Sequence, residues 1–116
     1  MDRIRLKIYG ASEAVGIDDF SLLILVDEAM KRQLVVMCDK PMGKQVALRI
    51  SHQPEVEKLL PETVGKLLSD RGITQQLEVE IVGQNEGEYI TLIRDVLTGK
   101  EYPIRCSDGV LFSLVN

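Results

Sequence analysis

Phe-Ser-Leu-Leu-Ile-Leu-Val (20–26), Asp-Glu-Ala-Met-Lys (27–31) and Gln-Leu-Val-Val-Met-Cys (33–38) read, in that order, as a strand, a polar turn and the strand returning from a hairpin. The first run is continuously apolar and rich in Leu, Ile and Val, at a length that suits a buried strand. Asp39 then offers an oxygen for a helix N-cap, and Pro41 falls inside the first turn. Met42, Val46, Ala47 and Ile50 recur at helical spacing, which predicts a helix over 40–51. Gly43 weakens that helix by about 1 kcal/mol relative to Ala.

On the N-terminal side, Asp-Arg-Ile-Arg-Leu-Lys-Ile-Tyr (2–9) alternates strictly. Ile4, Leu6 and Ile8 share one face, and Arg3, Arg5 and Lys7 share the other, the pattern of a half-buried strand. Residues 10–19 and 51–58 read as loops. Pro61 opens a second helix over 61–71, with Leu60, Val64, Leu67 and Leu68 on one stripe and Gly72 placed as a left-handed C-cap. Three strands follow: Leu77, Val79 and Ile81 alternating with Glu78 and Glu80, a turn over 83–87, a strand over 88–96, a turn over 97–100 and a strand over 101–106. Ser107 is the expected N-cap of a last helix over 108–115.

Strand-strand-strand-helix therefore occurs twice, over about 1–52 and 76–116, with the 61–71 helix between the copies. The third-strand ends align as Leu-Val-Val-Met-Cys (34–38) and Tyr-Pro-Ile-Arg-Cys (102–106), in keeping with an internal duplication. Runs of strands with helices to one side predict an α+β fold, with sheets packed against helices.

The 116 residues and 13.0 kDa suit one domain over 1–116, with a folded surface of about 6,300 Å². The longest strictly apolar run, Leu22 to Val26, is far short of a membrane span, and Met1-Asp2-Arg3 leads into alternating charges, so the expectation is a cytoplasmic protein with no membrane partner. The net charge of −4 is uneven: residues 1–50 carry +1 and residues 51–116 carry −5. No basic patch of the kind that draws duplex nucleic acid runs through the chain. Cys38 and Cys106 belong to no Cys-x-x-Cys pair and read as buried free thiols of a reducing compartment.

The catalytic inventory is short. His52 is the one histidine and sits in a polar loop, which removes paired-histidine metal chemistry. Asp39 to Lys44 lacks the first glycine and the Ser or Thr of a phosphate loop; capping by Asp39 is the plainer reading, with Lys40 and Lys44 near a helix start that could hold an anion. The stripe of Arg3, Arg5 and Lys7 could follow a nucleic-acid backbone, or meet the acidic stripe of Glu78 and Glu80 if the two strands pair. Asp18-Asp19, Asp27-Glu28 and Asp108 are the carboxylates that could hold Mg²⁺, with Asp108 equally able to act as a charge at a helix start.

Taken in order, Arg-Ile-Arg-Leu-Lys-Ile-Tyr-Gly (3–10), the apolar hairpin of 20–38, Val46-Ala47-Leu48-Arg49, Leu60 to Gly72, Leu77 to Ile81 and Ile104-Arg105-Cys106-Ser107-Asp108 resemble the bifunctional nuclease family over nearly the whole length. The resemblance implies a duplicated α+β domain and metal-assisted cleavage of DNA or RNA phosphodiesters. Asp108 would be metal ligand or base, Arg105 would stabilise phosphate charge, and Ser107 would complete the Arg-x-Ser-Asp helix start. Mg²⁺ or Mn²⁺ would be the cofactor and nucleic acid the partner. The family's glutamate after the first hairpin is replaced by Pro41-Met42-Gly43, and its Thr-His-Asp before the central helix by Leu60-Pro61-Glu62-Thr63, where Glu62 could substitute for the missing acid. These replacements motivate the alternative of a catalytically silent copy serving as a binding or scaffold module. A homo-oligomer is expected in that case, because exposed strand edges need pairing or protection.

Overall fold

The hairpin and its following helix form as read. In a computed structural model that describes residues 3–13, 20–52 and 59–116, β1 (Leu6–Glu13), β2 (Phe20–Asp27) and β3 (Gln33–Asp39) make an antiparallel sheet in the order β1-β2-β3, and α1 (Lys40–Ile50) follows directly. Then come α2 (Leu60–Asp70), a single 3₁₀ turn (Thr74–Gln76) and a second antiparallel sheet of β4 (Leu77–Asn85), β5 (Glu88–Asp95) and β6 (Glu101–Ile104). The last element is α3 (Cys106–Val115). The order βββα thus occurs twice with α2 between, and the fold is α+β. No helix among the described residues is long and apolar enough to cross a membrane.

The core sits between the first sheet and two helices. Leu23, Leu25, Val36 and Cys38 turn one face of that sheet toward Val46 of α1 and Cys106, Val110 and Leu111 of α3. Leu23 and Val46 lose all contact with water, each contributing about 1.5–3 kcal/mol. Asp39 caps α1 as expected: its backbone is extended (φ −69°, ψ 160°) and its Oδ1 accepts the Met42 N–H at 2.8 Å.

Gly43 has a packing reason for being where it weakens the helix. It is the fourth residue of α1 and is buried on Ser21 of β2, so that a Cβ there would fall inside the Ser21 side chain. Gly109, the fourth residue of α3, repeats the arrangement on β5: a Cβ would lie 3.0 Å from Val79 Cγ1 and 3.2 Å from Thr91 Cγ2. The start of α1 therefore rests on Ser21 of the central β2, and that of α3 on Val79 of β4 and Thr91 of the central β5. This superposition corrects the sequence alignment of the two halves. β6 ends at Ile104 and Cys106 is already helical, so Cys38 corresponds to Ile104 and not to Cys106. The N-cap of α3 is likewise Arg105, not Ser107, which lies buried one residue inside the helix.

The two central strands also end alike. Asp27 Oδ1 accepts the N–H groups of Lys31 (3.0 Å) and Arg32 (3.3 Å), and Asp95 Oδ1 accepts those of Leu97 (3.0 Å) and Thr98 (3.3 Å). Burial pushes both carboxyls up, but these backbone donors, joined by the Arg32 side chain at Asp27 and by the Gln76 and Thr98 side chains at Asp95, outweigh it and hold both below the usual range.

Other boundaries move for non-local reasons. β1 begins at Leu6, leaving Ile4 exposed, and continues through 10–13 of the expected loop; 14–19 and 53–58 lie outside the described residues. A bulge at Tyr9 interrupts the strict alternation, and another at Val82 carries β4 through the expected 83–87 turn. The turn itself is only Glu86-Gly87, both at positive φ (51° and 83°) as a two-residue hairpin requires. In α2 the apolar stripe is half covered: Val64 and Leu68 are partly buried, Leu60 and Leu67 are 74% and 56% exposed, and the buried residue is Gly65, which packs on Val115 and Asn116 at the end of α3. β1 and β4 belong to different sheets and do not pair, yet Arg3 still reaches Glu78 (3.2 Å) and Glu80 (3.6 Å).

The Gly43 contact sets an expectation opposite to helix propensity. Gly43→Ala is expected to lower stability by about 1–3 kcal/mol through overpacking on Ser21, although Ala is the better helix former. Gly10→Ala, where a Cβ meets nothing within 4 Å, is expected to stay within about 0.5 kcal/mol of the parent. Urea titrations of the two variants check both values.

Candidate functional site

The residues matching the family's closing motif gather at the start of α3. Arg105 Nε donates to Asp108 Oδ2 at 2.8 Å across three positions, with the arginine mostly exposed and the aspartate partly so. The bond to Asp108 and then its charge, joined by Asp39, push the Arg105 guanidinium above its already high range. Asp39 caps α1, which packs against α3, and its charge reaches Arg105 through space, whereas Asp108 pairs with it directly. Excess positive potential from the helix ends is already answered there by Asp39 and Asp108.

Three neighbouring groups do not add chemistry. Ser107 is buried, where a substrate does not reach it. Cys106 and Cys38 are buried free thiols; burial pushes both up, further from the reactive thiolate. Among the described residues no three His, Cys, Asp or Glu side chains converge, and the carboxylate of Asp108 faces the Arg105 guanidinium. His52 lies in a loop, exposed at φ 55°, and Asp18-Asp19 fall outside the described residues.

Glu62 is not brought to Asp108. Its two oxygens accept from Arg49 Nε and Nη2 at 2.7 Å each, and Arg49 Nη1 also donates to the carbonyl and side-chain oxygens of Gln45 at 2.8 Å. The arginine side chain is 4% exposed, so this bidentate pair locks the first turn of α2 to the last turn of α1. Gly65, one turn beyond Glu62, meets the C-terminal end of α3, whereas Asp108 lies near its start, about 10 Å back along the axis. In the sequence Arg49 belongs to the 46–49 segment and has no assigned partner, although it sits three residues after the fully buried Val46 and so shares its inward face.

An open depression lies elsewhere. Tyr9, Ile24, Val26, Met30, Lys31, Arg32 and Gln33 line an open pocket of about 370 Å³ on the face of the first sheet that points away from the helices. The sequence carried a signal for it: the run 20–26 is apolar at every position but Ser21, which marks a strand with two apolar faces. No protein-family model matches the chain, and no curated protein matches it.

The two carboxylates are expected to respond differently. Glu62→Ala strands a buried guanidinium and is expected to cost about 3 kcal/mol, while Asp108→Ala, at a partly exposed pair, is expected to cost less than about 1 kcal/mol. Chemical denaturation of the two variants separates the structural acid from the surface one.

Proposed function

We propose that this chain is a domain of the bifunctional-nuclease type that works as a self-associating binding module and not as a metal-dependent nuclease. The observation that carries the reading is the outward face of the first sheet, which is apolar and, among the described residues, has no helix over it. Tyr9 is 61% exposed on it and Met37 54%, with Val35, Phe20 and Met30 also open to water. Apolar side chains left open together on one face mark an interaction site. The neutralised Arg105–Asp108 pair and the commitment of Glu62 to Arg49 support the same reading from the other side. Two free buried thiols support placing it in the cytoplasm.

A second reading is phosphodiester cleavage, favoured by the position of Arg105 and Asp108 together at an open helix start. In it, Arg105 turns from Asp108 to a phosphate of DNA or RNA, and the released carboxylate takes a proton from the attacking water.

One preparation distinguishes the two. Labelled single- and double-stranded DNA and RNA are incubated with the chain and with its Asp108→Ala variant, in Mg²⁺, Mn²⁺ or EDTA, and the molar mass of each protein is measured by light scattering. The expected result is no cleavage that depends on both metal and Asp108, with a mass rising above 13.0 kDa as concentration increases. Metal-dependent cutting lost in the variant, or a monomer at every concentration, overturns the module reading.

A further inference from the structure

We draw no further inference here: the strongest candidate, the apolar outward face of the first sheet around Ile24, Val35 and Met37, belongs to the surface already described, and nothing in the structure shows what covers it.

Discussion

β2 carries apolar side chains on both of its faces, and the described helices lie over only one of them. Leu23 and Leu25 meet Val46, Val110 and Leu111, and that contact supplies the core on which the two βββα units converge. Its closeness depends on glycine at the fourth position of α1 and of α3, where each helix start settles on Ser21 or Thr91. Leu22, Ile24 and Val26 point the other way, toward Tyr9, Val35 and Met37, and among the described residues no helix lies over them. A central strand of this composition is ordinarily found where both faces are covered. The apolar outward face is thus the constraint from which the functional reading follows.

The charged groups tell a consistent story about α3. Asp108, the carboxylate expected to hold a metal or take a proton, is paired with Arg105 at 2.8 Å. The acid nearest in kind, Glu62, is held by the buried Arg49 and serves to join α2 to α1. Removing such a partner damages the fold rather than a reaction, because the desolvated arginine is left without its counter-charge. The family resemblance in the order of elements and in the Arg-x-Ser-Asp motif is compatible with this, since fold and motif can persist while the chemistry at the site changes.

Local physics made much of the fold readable. The Asp39 cap, the hairpin around residues 27–32, the α2 boundaries and the order βββα twice over all follow from capping, turn residues and periodicity. What escaped depends on partners far away in sequence. The Tyr9 and Val82 bulges are set by register against β2 and β5. The start of α3 at Cys106 reflects the approach of Gly109 to Thr91, which a strand pattern cannot reveal. Glu62 read as a spare acid because its partner lies thirteen residues back on another helix, although the inward position of Arg49 was visible in the spacing from Val46. The amphipathic stripe of α2 misled for a similar reason: Gly65, the smallest residue on the helix, makes its closest contact.

The most direct measurement is a dilution series of methyl NMR spectra, because it reads the two faces of one strand separately. The account predicts that the methyl signals of Ile24, Val35 and Met37 shift with protein concentration, while those of Leu23 and Val46, in the interior, stay fixed. Signals that hold still on both faces down the whole series, or that move at α3 and not on the sheet, would contradict it.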